Sequence, residues 1–270
     1  MNIQKMPARP LQPAQPFTPR VQAQPSVSAS PVPRRAFLGG LAASAGLAAC
    51  GSPVVTPALP APAGFDPARR MGPSVWTSGA PGYHFEQLTV AAQGSGRRSR
   101  LWLSWPRHAA ASDGHPLLCL LDGNAVADTL SAVQFETLAA QGRDAPALLA
   151  IGPDSDLRFD VPMRAYDYTP AVRADGPTWD DEASGRKGGG ADAFLDFIAT
   201  QALPALVARA PLDARRRTLW GHSYGGLFAL HALLRRPALF SRYAAADPSL
   251  WWHEGFILRE AERPAPLPAG

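Results

Sequence analysis

One stretch decides the fold: Thr218-Leu219-Trp220-Gly221-His222-Ser223-Tyr224-Gly225-Gly226-Leu227-Phe228. It has the pattern of a nucleophile elbow, in which a short apolar strand runs into a sharp turn that carries one serine and then into a helix. In such a turn the serine hydroxyl is exposed at the helix N-terminus, where the backbone N–H of the next residue points at a developing oxyanion. Small neighbours at Gly221 and Gly225 let the strand and the helix approach each other. The pattern predicts that Ser223 is a nucleophile and that Tyr224 supplies an oxyanion donor.

The segments around the elbow predict a sheet. Residues 83–91 and 100–105 alternate apolar with polar positions around a Gly-rich turn, which is typical of an antiparallel hairpin with one solvated face. Residues 117–121 and 147–152 are continuous apolar runs, which are typical of parallel strands buried on both faces. A further strand is expected at residues 243–246, after the elbow helix. We therefore expect a mixed, mostly parallel sheet.

Helical patterns lie between these strands. They cover residues from about 125 to 140, from 191 to about 210 and from the elbow to about 236. In the second of these, apolar residues recur on one face and Pro204 is expected to kink the helix. Strands that alternate with helices predict the α/β class, with helices flanking the sheet.

The first fifty residues carry export signals. Arg34 and Arg35 form a twin-arginine pair ahead of a small-residue apolar segment that is too short to span a membrane. The segment ends in Leu47-Ala48-Ala49-Cys50, which resembles the lipobox at which bacterial lipoproteins are cleaved and acylated, so Cys50 is a candidate lipid anchor. The alternative is an ordinary cysteine after a cleavage site. We expect recognition by the twin-arginine export machinery and a periplasmic protein that Cys50 anchors to the membrane.

The chain divides into three parts by composition. Residues 1–50 hold the signal behind a long leader, rich in Pro, Gln, Ser and Ala, that is expected to be disordered or to mark a misplaced start. Residues 51–71 are a Pro/Ala-rich linker, and residues 72–270 are one domain. Five basic residues and no acidic one stand in the first part, so the net charge of +4 belongs to the leader and does not indicate a nucleic-acid partner.

Neither a metal nor a cofactor is expected. The domain shows no metal-ligand cluster, dinucleotide fingerprint or phosphate loop. Its one cysteine, Cys119, lies in the apolar run at 117–121 and is expected to be a buried hydrophobe rather than a disulfide partner.

Four segments, taken in order, are more specific than the elbow alone. They are Leu120-Leu121-Asp122-Gly123-Asn124-Ala125, Arg164-Ala165-Tyr166-Asp167-Tyr168-Thr169-Pro170, Gly189-Gly190-Ala191-Asp192-Ala193-Phe194-Leu195, and the glycine-rich elbow with the later Pro248-Ser249-Leu250-Trp251-Trp252. Together they resemble the esterase D superfamily of α/β-hydrolases. Within it they resemble the periplasmic siderophore esterases that open catecholate trilactones of the enterobactin and bacillibactin type. The resemblance implies an α/β-hydrolase fold and a carboxylic ester hydrolase.

The resemblance also implies roles for three positions. The oxyanion hole would combine the backbone N–H groups of Tyr224 and Asn124, although a plain turn is the alternative for Asn124. Arg164 matches a basic residue that faces an anionic substrate, since a guanidinium suits catecholate or carboxylate oxygens, and a solvated surface arginine is its alternative. Residues 174–190 are expected to form a mobile lid or a disordered insertion.

A serine hydrolase of this fold uses a catalytic triad of serine, acid and histidine, and the sequence does not identify the histidine that acts as the base. In this fold the acid and the histidine follow the serine along the chain. His231 lies eight residues along the elbow helix, about 12 Å from Ser223 at 1.5 Å per residue. His253 precedes the place of the family's catalytic loop, and His222 is expected to pack beside the turn. No acid is assigned, and the sequence is expected to be a C-terminally incomplete, truncated or frame-shifted, reading of a longer esterase.

Three functions fit these features. The first is a serine ester hydrolase that cleaves siderophore ester bonds through an acyl-enzyme at Ser223. The second is a general short-acyl or thioester hydrolase similar to S-formylglutathione hydrolases, which the export signal counts against. The third is a catalytically dead lipoprotein that binds a siderophore, which the missing histidine favours.

Overall fold

The computed structural model of the chain describes residues 65–262, and the predicted signal residues Arg34, Arg35 and Cys50 lie outside this range. Its strands are β1 (Tyr83–Ala91), β2 (Arg98–Pro106), β3 (His115–Leu120), β4 (Ala147–Pro153), β5 (Trp179–Asp181), β6 (Arg186–Lys187), β7 (Leu212–His222) and β8 (Arg242–Ala246). Six of them form one sheet in the order β1-β2-β4-β3-β7-β8, and β5 and β6 form a separate pair.

The sheet is mixed and mostly parallel, as the sequence predicts. β1 pairs with β2 and β2 with β4 in antiparallel fashion, while β3 runs parallel to both β4 and β7, and β7 runs parallel to β8. Every residue of β4 is buried, whereas β1 alternates more and less exposed positions. This difference is expected because helices cover both faces of a central parallel strand but only one face of an edge hairpin.

The helices differ in detail from the predicted ones. They are α1 (Val75–Ser78), α2 (Gly123–Thr129), α3 (Ala132–Ala139), α4 (Val161–Tyr168), α5 (Ala191–Phe197), α6 (Leu203–Val207), α7 (Tyr224–Arg235) and α8 (Phe256–Glu262). The helix expected at 125–140 is two helices, since Ser131 begins α3 with a capping box. The helix expected at 191–210 contains a π-helical stretch, Ile198–Ala202, between α5 and α6. Pro204 lies in the first turn of α6, directly after this π-helical stretch.

Two cores sandwich the sheet. Side chains from α5, α6 and α7 pack on one face against alternate residues of the central strands, among them Leu117, Cys119 and Leu219. The other face packs against α1, α2 and α3 through residues such as Trp102 and Leu148. Cys119 is fully buried, as predicted, and burial raises the pKa of its thiol to about 12. The elbow strand is therefore held between a helical layer on one side and the α2–α3 pair on the other.

Contacts of the domain begin slightly before the predicted boundary at residue 72. Met71 N–H donates to the carbonyl of Asp156, and Arg158 N–H donates to the carbonyl of Arg69. Along residues 65–262, no helix is both long and apolar enough to cross a bilayer.

Candidate active site

Ser223 occupies a strained turn between β7 and α7. Its φ of 57° and ψ of −116° lie outside the regions that L-residues favour, a conformation that costs about 1–3 kcal/mol and is characteristic of functional sites. Its backbone N–H donates to the carbonyl of Ala246 on the neighbouring strand at 3.0 Å. The turn thus presents the Ser223 side chain at the carboxyl edge of the sheet, as the elbow pattern predicts.

Glycines make this turn possible, but they differ in importance. A Cβ on Gly221 would lie 2.2 Å from the carbonyl oxygen of Gly225, so no larger residue fits there. A Cβ on Gly226 would lie 2.9 Å from the Cα of Pro248. A Cβ on Gly225 would make only ordinary contacts, the nearest at 3.5 Å from Leu121. The sequence-based argument that Gly225 must be small is therefore wrong, and Gly226 has that role.

The Ser223 hydroxyl has a polar neighbour that the sequence analysis did not assign. Ser223 Oγ lies 3.2 Å from Ser249 Oγ, and Ser249 N–H donates to the Ser223 carbonyl at 3.1 Å. Ser249 is buried. It belongs to the Pro248–Trp252 segment that carries part of the family resemblance, which was the available signal.

A second turn lies beside the elbow, after β3. Leu121 N–H donates to the carbonyl of Trp220 on β7 at 3.1 Å, which joins the ends of the two parallel strands. Asp122 follows with a left-handed backbone, φ 53° and ψ 47°, and its N–H donates to the hydroxyl of Tyr168 at 2.8 Å. Gly123 and Asn124 then begin α2. Ser223 and Asn124 therefore follow adjacent strands at the same edge of the sheet.

The side chain of Asn124 connects α2 to β2 and to the loop after β4. Its Oδ1 accepts from Trp102 Nε1 at 3.0 Å, and its Nδ2 donates to three backbone carbonyls of the loop after β4, those of Pro153, Ser155 and Leu157. The residue is fully buried. These bonds occupy the side-chain amide, so the group of Asn124 that stays available is its backbone N–H in the first turn of α2, and its predicted role as an oxyanion donor stays a prediction.

Arg164 fixes the Asp122 turn. Its Nε and Nη2 donate to the two carboxylate oxygens of Asp122, each at 2.9 Å, and the two side chains are only 15% and 12% exposed. The guanidinium also lies 5.5 Å from the ring centre of Tyr224 and 5.7 Å from that of Tyr168. Burial disfavours its charge, but the Asp122 carboxylate outweighs this and raises the pKa of Arg164. The predicted contact of Arg164 with an anionic substrate stays a prediction.

Tyr224, the first residue of α7, links the elbow to an ordered hairpin. Burial, and secondarily the nearby Asp180 carboxylate of β5, raises the pKa of Tyr224 well above its usual value. The buried Asp180 carboxylate also accepts from Trp252 Nε1 at 3.0 Å and from Arg186 Nε on β6 at 2.5 Å. A disordered insertion at this place is therefore wrong, because residues 179–187 form a hairpin that is tied to the site.

The histidines that follow the elbow have other partners. His231 is buried with its Nε2 3.0 Å from Asp192 Oδ1, and this hydrogen bond lowers the pKa of Asp192. His253 Nε2 lies 2.8 Å from the carbonyl of Trp179. His222 is exposed at the rim of an apolar groove. Between residues 65 and 262, Ser249 is the only side chain that hydrogen-bonds Ser223 Oγ.

The apolar groove beside His222 lies on the face of the sheet opposite α7. It has a volume of about 650 Å³. Its floor is made of side chains from β3, β4 and β7 and its wall of side chains from α2 and α3: Leu118, Leu120, Leu148, Trp220, Val126 and Leu138.

The Esterase family model matches residues 93–265, a range that includes both turns at this edge of the sheet. The chain belongs to the Esterase family. Among its relatives, the apo-salmochelin esterase of Escherichia coli O6:H1 is 36% identical over 182 residues, which are 67% of this chain and 56% of that protein. The ferri-bacillibactin esterase BesA of Bacillus subtilis is 31% identical over 185 residues, which are 66% of this chain and 62% of BesA.

A solved structure agrees with this assignment. The enterobactin and salmochelin hydrolase IroE superposes with a TM-score of 0.59 at 34% identity, over 70% of this chain and 73% of IroE. These matches confirm the α/β-hydrolase fold and the resemblance to siderophore esterases. The chain spans about half the length of the curated relatives that it matches first.

The edge of the sheet in this Esterase family member brings together Ser223, Tyr224, Asn124 and Arg164, the four predicted site residues of the domain. Sequence reasoning missed Ser249 and the role of Asp122 as the partner of Arg164. In the described part of the chain, no three His, Cys, Asp or Glu side chains form a group able to hold a metal ion.

Proposed function

We propose that this chain is a serine ester hydrolase that forms an acyl-enzyme at Ser223. The observation that carries the proposal is the strained φ of 57° at Ser223, between a parallel strand and a helix N-terminus. Ser223 Oγ attacks the ester carbonyl carbon, its proton passes to a base, and the alcohol leaves. Water then hydrolyses the acyl-enzyme. The backbone N–H groups of Tyr224 and Asn124 stabilise the oxyanion, and no base is assigned because no histidine within residues 65–262 hydrogen-bonds Ser223.

We further propose that the substrates are esters of catecholate siderophores. The names of the related apo-salmochelin esterase and ferri-bacillibactin esterase support this substrate class. The chemistry of the site also supports it. The Tyr224 and Trp251 rings lie 5.9 Å apart beside the nucleophile, and Trp251 is 70% exposed, so a catechol ring has an aromatic surface on which to stack. Arg164 at the same edge is the proposed partner of catecholate oxygens.

Hydrolysis and binding, measured side by side, test this function. A catecholate trilactone, a simple aryl ester and a thioester are offered to the full chain, to Ser223→Ala and to the surface control Ser241→Ala. We expect trilactone cleavage that Ser223→Ala abolishes and Ser241→Ala leaves unchanged. A preference for the thioester would instead favour the short-acyl hydrolase. Tight trilactone binding without cleavage would favour a siderophore-binding protein, a reading that the unassigned base supports.

We propose export through the twin-arginine route, on the basis of Arg34 and Arg35 ahead of a short apolar segment. Replacing both by lysine preserves the charge but removes the guanidinium groups that the receptor reads. The double variant is expected to accumulate in the cytoplasm of a bacterial host. Unchanged fractionation would contradict the proposal.

We propose that Cys50 carries a lipid that anchors the exported chain to the membrane and gives it a periplasmic location. Cys50→Ser keeps the size of the side chain and removes the acylated sulfur. The variant is expected to move from the membrane pellet to the soluble fraction. Retention in the pellet would show that Cys50 is not the anchor.

A further inference from the structure

Ser249 contacts Ser223 through both its side chain and its backbone. The two hydroxyl oxygens are 3.2 Å apart, and Ser249 N–H donates to the Ser223 carbonyl at 3.1 Å. Ser249 is 3% exposed, so water does not compete freely for its hydroxyl. Among the described residues, Ser223 is the only side chain that hydrogen-bonds the Ser249 hydroxyl.

The loop that carries Ser249 is held rigidly against the elbow. Asp247 has a positive φ of 41°. Pro248 packs so closely against α7 that a Cβ on Gly226 would lie 2.9 Å from the Pro248 Cα. On the other side, the carbonyl of Ser249 accepts from Trp252 N–H at 3.2 Å. The loop is therefore in contact on both sides of Ser249, and these contacts hold the Ser249 hydroxyl beside Ser223.

The chemistry of nucleophilic attack indicates which of the two hydroxyls donates the hydrogen bond. A serine oxygen has one proton and two lone pairs. When Ser223 Oγ attacks, the new bond forms from one lone pair, the Ser223 proton goes to a base or to solvent, and the leaving group departs with its electron pair. Ser249 keeps its own proton throughout. A hydrogen bond from Ser249 to the remaining lone pair strengthens as negative charge develops on Ser223 Oγ.

We propose that Ser249 is a positioning residue that donates a hydrogen bond to Ser223 Oγ, directs the Ser223 proton away from the loop and stabilises the oxygen as it becomes nucleophilic. The same bond stabilises Ser223 Oγ when it leaves the acyl-enzyme. The proposal rests on the proposed role of Ser223 as the nucleophile. Ser249→Ala removes this bond alone, because the backbone bonds of residue 249 do not depend on its side chain.

Inactivation of the full chain by a fluorophosphonate tests the proposal, because this reaction needs the nucleophile and not the complete hydrolytic cycle. Progress curves at several probe concentrations separate the rate constant kinact from the binding constant KI. The variants are Ser249→Ala, Ser249→Thr, which keeps a hydroxyl, and Ser241→Ala. Ser241 is the matched control, since its hydroxyl hydrogen-bonds the backbone of Arg217 at the other end of β8.

We expect Ser249→Ala to lower kinact about tenfold with KI unchanged, the effect of losing one hydrogen bond to a charged atom of about 1.4 kcal/mol. Ser249→Thr should restore most of the rate, and Ser241→Ala should match the wild type. Because kinact is a property of the molecules that react, it reports on Ser249 even where the variant is partly unfolded. Equal kinact values for wild type and Ser249→Ala would overturn the proposal.

The residue that the probe labels separates the two claims. If wild-type protein is labelled at another residue or not at all, the proposed function fails. If Ser223 is labelled and Ser249→Ala is as fast as the wild type, only the role of Ser249 fails.

Discussion

At the scale of single residues, the site is a set of strained turns that neighbouring bonds hold in place. In the described chain, every non-glycine residue with positive φ follows the carboxyl end of β3, β7 or β8: Asp122, Ser223, Asp247, His253 and Glu254. Each such conformation costs of the order of 1–3 kcal/mol and persists only where the surroundings determine it. For Asp122 these surroundings are the Arg164 guanidinium and the Tyr168 hydroxyl.

Arg164→Gln is expected to weaken both stability and reactivity. It leaves the Asp122 carboxylate buried without its cation, which should lower the free energy of unfolding by about 3 kcal/mol. It should also lower kinact for the phosphonate probe, because the turn before Asn124 relaxes.

The control is Arg98→Gln. Arg98 is 63% exposed in its pair with Asp154, so a change below about 1 kcal/mol is expected. Denaturant unfolding measures both variants. Equal stability of Arg164→Gln and wild type would contradict the role of Arg164 in holding the turn.

At the scale of elements, the approach of α7 to β7 determines whether the elbow forms. Gly221→Ala places a methyl group 2.2 Å from the Gly225 carbonyl oxygen, and backbone has to move. We expect a loss of at least about 3 kcal/mol in the free energy of unfolding, together with loss of labelling at Ser223.

Gly225→Ala, two residues beyond the serine, is the matched control. Its methyl group makes ordinary contacts and favours the helix, so stability should stay equal or rise by up to about 1 kcal/mol. A similar loss of stability for both variants would contradict this explanation, because any added side chain at the elbow would then be destabilising.

The same elements show how far the sequence predicts the structure. Apolar alternation and continuous apolar runs located β1 to β4, and the elbow pattern located β7 and α7. Each of these patterns reflects which side chains of a single strand or helix are buried, so a short stretch of sequence is enough to show it. The hairpin β5–β6 has no such pattern. It is ordered by the distant contacts of Asp180 with Trp252 and Tyr224. Ser249 lies in a segment of the family resemblance, but the sequence does not show its contact with Ser223, since a whole helix and strand separate the two residues.

At the scale of the whole molecule, buried charge makes stability depend on pH. Burial raises the pKa of Asp167 to about 6 from its usual 3.8, and the Arg97 guanidinium 2.9 Å away offsets only part of this. The folded chain therefore holds the Asp167 proton more tightly than the unfolded chain. Asp167 stabilises the fold below about pH 4, and this contribution is lost as the pH rises through about 6.

Asp167→Asn should make the free energy of unfolding less dependent on pH. The difference in free energy of unfolding between wild type and variant is expected to change by about 2 kcal/mol between pH 4 and pH 7, to the disadvantage of the wild type. Asp154→Asn is the control of opposite sign. Arg98 lowers the pKa of Asp154, so its contribution is present above its unfolded pKa and is lost as the pH falls. Parallel stability curves for wild type and Asp167→Asn would contradict the prediction.

The most direct test of the central claim is a crystal structure of the full chain after reaction with a phosphonate. We predict a covalent bond from Ser223 Oγ to phosphorus, with the phosphonyl oxygen about 2.7–3.1 Å from the backbone nitrogens of both Tyr224 and Asn124. An unmodified Ser223 in protein that the probe has labelled elsewhere would contradict the account. So would a phosphonyl oxygen that faces away from both nitrogens.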